Sequence, residues 1–285
     1  VALHGLNRAL VAQGLKVMAA RTNPGLVALA DVAGLASAPG TYHAGFVLGP
    51  RVNAGGRVGQ ADLGARLLST NDPLEAQGIA AELDRLNTER REIEAAVLEE
   101  ALEQVAPSGE APSSPPPVVV AARGGWHPGV VGIVASRLKD RLRRPAIVIA
   151  LDDGIGKGSG RSLRGVDLGA AVIAARQQGL LLAGGGHAMA AGLTVAEEKL
   201  DDLTRFLTDR LAPQVAALGP VASLDIDAAL GLSAATVELL DLLAQAGPYG
   251  AGNPEPRFVL PSVTLAFAKV VGQDHVSCRL SSSDG

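Results

Sequence analysis

VVVAARGGWHPGVVGIVASRLKDRLRRPAIVIALDDGIGKGSGRS, residues 118–162, carries two apolar runs on either side of a helical pattern. VVVAA (118–122) and AIVIA (146–150) are short apolar runs that read as buried strands. VGIVASRLKDRL (131–142) between them is helical. Strand, helix and strand in that order make a βαβ-like unit, and the fold class predicted is α/β. AAGLTV (190–195) adds a further strand, and KLDDLTRFLTDRLAPQV (199–215) a closing helix.

Two glycine-histidine signatures frame this region: GGWHPGVVGIVASRL (124–138) and GGGHAMAAG (184–192). Each sets one histidine among small residues, where backbone amides can approach an anion because no side chain blocks them. KGSGRS (157–162) adds a hydroxyl and a guanidinium to the same kind of frame. Two imidazoles, a serine, an arginine and glycine-flanked amides together suit a phosphate.

Upstream, Asp72-Pro73 is a helix start, a capping carboxylate followed by proline in the first turn. Ile79, Leu83, Leu86, Ile93 and Val97 then recur on one face, with Arg90 at the skipped position. They predict a helix running to about Val105, roughly 50 Å long at the α-helical rise. It suits a link between two domains better than a coiled-coil seam, because the pattern is short and interrupted by arginine. Its other face is dense in alternating charge and reads as solvated. SGEAPSSPPP (108–117) is a linker by composition. Before residue 70, GLNRALVAQGLKVM (5–18) places Leu6, Leu10, Val11 and Leu15 on one helical face, and LVALADVAGLA (26–36) is a short helix closed near Gly34. GPRVNAGGRVG (49–59) reads as a loop carrying Arg51, Asn53 and Arg57, given its glycine and proline density. After about Leu218, a strand, a helix and a turn cluster lead into strand-like alternation to the last residue.

Composition narrows the classes. A chain of 285 residues fits two domains, or two with part of a third, and 47% hydrophobic with 19% charged residues marks a folded chain. No apolar run is long enough to cross a bilayer and no secretory signal opens the chain. A single cysteine, Cys278, excludes an internal disulfide and a cysteine-based metal site, and points to a reducing cytoplasm. A net charge of −4 excludes a surface coated in nucleic acid, so a nucleic-acid site has to be local. The basic run RLKDRLRR (137–144) is the best basic candidate for one, against the commoner reading of such spacing as a solvated helix face.

Taken in order, these segments resemble the RecJ family of single-strand-specific exonucleases within the DHH phosphoesterase superfamily. GPRVNAGGR (49–57) is similar to the signature at the end of the family's DHH domain. The two glycine-histidine motifs and KGSGRS are similar to its DHH-associated substrate-binding domain, and PYGAGNPEP (248–256) to the opening of its OB-fold domain. The resemblance implies the end of a DHH domain in residues 1–70, a connecting helix in 71–106, a linker in 107–117, a DHH-associated domain in 118–216 and a partial OB-fold-like domain in 217–285. The metal-binding triplet that names the superfamily does not occur; Asp31, Asp62 and Asp72 are isolated. The resemblance therefore reads the chain as a fragment, or the ordered part, of a longer protein, and no metal ligand or catalytic residue is assigned to it.

By the same resemblance Arg161 contacts a terminal 5′-phosphate, against the alternative of an interdomain salt bridge. Ser159 lies on the same side of an extended segment. Arg51 and Asn53 face the cleft and Arg57 braces their loop. His187, with Gly185 and Gly186, binds substrate or bonds across a tight turn; His127 binds or caps the following helix. Trp126 stacks on a base or fills the core, and His4, His43 and His275 are ordinary surface or turn residues. The resemblance implies metal-dependent 5′→3′ hydrolysis of single-stranded DNA in recombination and repair. It also implies manganese or magnesium held outside this chain, with a helicase and a single-strand-binding protein as partners and no membrane. A phosphodiesterase for short oligonucleotides or cyclic dinucleotides, and a non-catalytic nucleic-acid-binding module, are the alternatives.

Overall fold

The computed structural model describes residues 1–105, 116–219, 224–272 and 275–282. In chain order the first helices are α1 (Gly5–Ala19), α2 (Pro24–Val32), α3 (Gly49–Val58), α4 (Leu63–Ser69) and the long α5 (Pro73–Val105). Then come β1 (Val119–Gly124), α6 (Val131–Leu142), β2 (Ala146–Asp152), β3 (Ile155–Arg161), α7 (Leu168–Gln177), β4 (Ala183–His187), β5 (Ala190–Ala196) and α8 (Leu200–Ala217). The last elements are β6 (Ala228–Ala229), α9 (Val237–Gln245), β7 (Phe258–Val259), β8 (Thr264–Val271) and β9 (His275–Ser281). They form two compact units. One holds residues 1–49, 71–73 and 222–285, the other 50–70 and 74–221.

The second unit carries a five-stranded sheet in the order β1-β2-β3-β5-β4. β1 and β2 are parallel and joined through α6, the expected βαβ unit, while β3, β5 and β4 run antiparallel to their neighbours. One face packs Ile147, Ile149, Leu193 and Val195 beneath α7 and α8. The other packs Val148, Val134, Leu138 and Trp126 against Val97 of α5. The start of α7 has a local cause. The Asp167 carboxylate accepts from the Ala170 N–H at 2.9 Å and caps α7. Asp167→Ala is expected to cost about 1 kcal/mol, lowering the melting temperature by roughly 3 °C, as thermal unfolding followed by circular dichroism would show.

GPRVNAGGRVG, expected to be a loop, is helical as α3. Pro50 stands in the first turn, where no N–H is needed. The helix cost of glycine, about 1 kcal/mol each, is outweighed by close packing on α5. A Cβ on Gly55 would lie 2.6 Å from the Gln60 carbonyl oxygen and 3.3 Å from Leu83, and one on Gly59 2.7 Å from Leu86. Along α5 the predicted face is buried at Ile79, Leu83, Leu86 and Val97. Two members of the charged run join it. Arg90 is buried and pairs with buried Glu94 at 2.5 Å, which Arg137 also reaches at 3.2 Å. The linker expected at 108–117 falls, up to residue 115, outside the described residues.

In the first unit, Asn23 caps α2 by accepting from the Leu26 N–H, and Gly34 follows the helix with φ +69°. A π-helical turn spans His43–Leu48. α1 forms as its periodicity predicts, but its apolar side is not buried: Leu6 and Leu10 are 74% and 61% exposed. Periodicity decides which side of a helix is apolar; it does not supply a surface to cover that side. Arg8 of α1 donates to the carbonyls of Ala246 and Gly247, just after α9. β8 and β9 form an antiparallel pair with a register shift between Leu265 and Phe267. Among the described residues no helix is long and apolar enough to cross a membrane.

Candidate functional site

KGSGRS lies on β3, and its alternation has a packing cause. Side chains alternate sides along a strand, and on one side a Cβ would collide. One on Gly156 would lie 2.6 Å from Ile149, one on Gly158 2.8 Å from Leu193, and one on Gly160 2.7 Å from Leu168. The glycines therefore meet the core, and Lys157, Ser159 and Arg161 share the opposite side. There Arg161 Nη1 donates to Ser159 Oγ and to the Gly160 carbonyl, both at 2.8 Å.

The start of α6 stands over this pair. A Cβ on Gly132 would lie 2.9 Å from Arg161 Nη2 and 3.0 Å from Ser159 Oγ, so only a glycine lets the helix sit so close. α6 has no side-chain cap, and the first turn of a helix presents N–H groups without intrahelical partners and a partial positive charge. Arg57 adds a third cationic element, its Nη1 donating to the Gly129 carbonyl at 3.1 Å in the turn before α6. Among the described residues neither Arg57 nor Arg161 has a carboxylate partner; the acceptors recorded for them are neutral. Burial, and secondarily the charge of Arg57, push the Arg161 guanidinium below its ordinary pKa. An anion seated between them would offset both effects, and a guanidinium fork suits a phosphate.

The second glycine-histidine motif reaches the same place across the sheet. Arg161 pairs with Ala190, and the Ser162 N–H donates to the Met189 carbonyl at 2.9 Å in the turn between β4 and β5. Gly169 of α7 admits this hairpin, since a Cβ there would lie 2.8 Å from the His187 backbone. Ser159 pairs with Gly192, and Gly192 with Gly185. A Cβ on either glycine would meet nothing within 4 Å, which leaves open backbone beside Ser159. Gly186 is a packing glycine instead, as a Cβ would lie 2.3 Å from the Ala190 carbonyl oxygen.

Both histidines brace turns through Nδ1, which leaves Nε2 as the ring nitrogen for a ligand. His187 Nδ1 accepts from the Met189 N–H at 3.3 Å, and His127 Nδ1 from the Gly129 N–H at 3.1 Å. Trp126 is a core residue, 5% exposed, with Nε1 donating to Glu100 at 2.6 Å. Arg51 is ion-paired with Asp84 of α5 at 2.7 Å. Because α3 is a helix, Arg51 and Asn53 do not share a side; positions four apart do, so exposed Asn53 lies with Arg57. Gly132 was missed from the sequence, though a glycine in the first turn of VGIVASRL was the signal. Among the described residues no group of three or more histidines, cysteines, aspartates or glutamates could hold a metal ion. This donor set does not fit a divalent-cation centre.

Two known domain families match the chain. Residues 116–212 match the DHHA1 domain and residues 226–285 the RecJ OB domain, which places the chain among the DHH phosphoesterases. Within that class it belongs to the RecJ family, as its C-terminal part. The chain is 37% identical over 290 residues to the single-stranded-DNA-specific exonuclease RecJ of Dickeya dadantii, covering 100% of the chain and 50% of that protein. It is 35% identical to the RecJ of Bacillus subtilis, covering 99% and 35% respectively. The crystal structure of Thermus thermophilus RecJ in complex with Mg2+ superposes with a TM-score of 0.83 at 33% identity, covering 98% of this chain and 42% of that one. The chain thus spans half or less of the length of these relatives.

Proposed function

We propose that this chain is the strand-holding and 5′-end-holding part of a single-stranded-DNA-specific 5′→3′ exonuclease. The observation that supports this reading most directly is the pair Arg57 and Arg161, without a carboxylate partner among the described residues, at the uncapped start of α6 with Ser159 bonded to Arg161. A terminal phosphate there takes the guanidinium fork, the Ser159 hydroxyl and first-turn amides at once. The open backbone at Gly185 and Gly192 gives the strand a floor beside that end, with His187 at its edge. An exposed Asn53 on the side of Arg57 extends the polar rim. Arg51 serves the site by fixing α3 to α5.

The cleavage chemistry belongs to magnesium or manganese, the ions in solved RecJ structures, held by residues other than those described. What this chain's residues contribute is register: a 5′ end fixed on β3 and α6 sets which phosphodiester reaches the reacting centre. A helicase that opens duplex DNA and a single-strand-binding protein are the partner classes such an enzyme, acting in recombination and repair in the cytoplasm, would work beside. The test is fluorescence anisotropy of this chain with a short single strand carrying a 5′-phosphate or a 5′-hydroxyl. Tighter binding of the phosphorylated strand is expected; equal binding would remove end recognition from this surface.

A further inference from the structure

Beside the phosphate cradle lies a separate space, where the chain leaves β1 and crosses the sheet before α6 begins. This pocket of about 360 Å³ is bounded by Trp126, His127 and Pro128 from the crossover, Asp152 at the end of β2, and Ile155 and Lys157 at the start of β3. It lies at the carboxyl ends of the parallel pair β1 and β2, where open α/β sheets place their ligands. Its walls are chiefly apolar, with one ammonium and one carboxylate near the rim, the make-up of a small-molecule site.

Its position relative to the cradle is fixed by β3. Ile155, Lys157, Ser159 and Arg161 are alternate residues of one strand and share a side, each about 7 Å from the next. The pocket takes the first two and the phosphate cradle the last two. His127 joins them: its ring lines the pocket while its Nδ1 holds the Gly129 N–H beside Arg57. Trp126 is held by Glu100 and packed in the core, so this wall is rigid.

We infer that this pocket receives the base of the 5′-terminal nucleotide whose phosphate sits on Ser159 and Arg161, an inference that rests on the phosphate reading above. An apolar space of this size next to a cationic cradle is suited to a flat, weakly polar group joined to a phosphate, and ill suited to a second phosphate. Its two charged groups, Asp152 and Lys157, are on exposed positions, so it accepts any base by shape and stacking. The stem of Lys157 lies along the nucleoside and its ammonium meets the strand's phosphates.

Trp126 is the only tryptophan, so fluorescence excited at wavelengths that the two tyrosines do not absorb reports on this pocket alone. The chain would be titrated with dAMP, with dTMP and with 2-deoxyribose 5-phosphate. Both nucleotides are expected to bind about tenfold more tightly than the sugar phosphate, the worth of one stacked base, and to change Trp126 emission. Arg161→Ala should weaken all three ligands. Ile155→Arg, at a position 37% exposed, should weaken only the two nucleotides. Equal binding of the three, still dependent on Arg161, would discard the base pocket and leave the phosphate reading standing. Binding that ignores Arg161, or no binding of any ligand, would remove the phosphate reading and this inference with it. The comparison on the unsubstituted chain decides the matter even if Ile155→Arg does not fold.

Discussion

Arg161→Ala is expected to weaken binding of a 5′-phosphorylated single strand by about thirtyfold, near 2 kcal/mol for a charge-assisted contact. The 5′-hydroxyl strand should be affected far less. The ground is the surroundings of the guanidinium. It is half-buried, its recorded contacts are the neutral Ser159 hydroxyl and Gly160 carbonyl, and the nearest charge acting on it is the like charge of Arg57. Such a group gains little for folding and much from an incoming anion. Arg161→Lys should recover only part of the affinity, because an ammonium keeps the charge and loses the paired geometry of the fork. Thermal unfolding separates this from a structural role: the melting temperature should be unchanged in Arg161→Ala. A fall in melting temperature with phosphate preference intact would instead make Arg161 a salt-bridge residue and move the 5′ end elsewhere.

How much of this could be read in the sequence differs between the two kinds of pattern. The βαβ core was legible because apolar runs and helical spacing are local signals, and β1, α6 and β2 appear where those signals put them. Ser159 and Arg161 were legible as a pair because β3 is extended, so residues two apart share a side. Arg51 and Asn53 do not share a side in this way, since α3 is a helix despite three glycines and a proline in ten residues. There glycine reports close contact with α5, not a turn, and that contact is visible only once Leu83 and Leu86 are placed. Arg90 shows the same limit. Its spacing put it on the buried face, but only the packed structure supplies Glu94 and Asn87 as its partners. The cradle itself joins α3, α6 and β3, three segments far apart in the chain, so sequence could name its parts without showing that they meet.

Gly129→Ala should be the most damaging single methyl group in the site. The added Cβ would lie 2.2 Å from the Arg57 carbonyl oxygen and 3.0 Å from His127 Nδ1. Gly129 has no left-handed backbone, so alanine's own conformational preferences are met and the cost is steric. The obstacle is backbone at the end of α3, which can move only by shifting a helix packed on α5. A loss of about 3 kcal/mol is expected, the upper range for overpacking. That corresponds to roughly 10 °C in melting temperature. The same displacement withdraws Arg57 from the turn before α6, so 5′-phosphate affinity should fall as well. A second substitution identifies the cause. Arg57→Ala deletes the side chain but keeps the carbonyl, so adding it to Gly129→Ala should restore no stability. Recovery in the double variant would mean that the arginine side chain was what the methyl group displaced, and α3 would not be the rigid wall of the cradle.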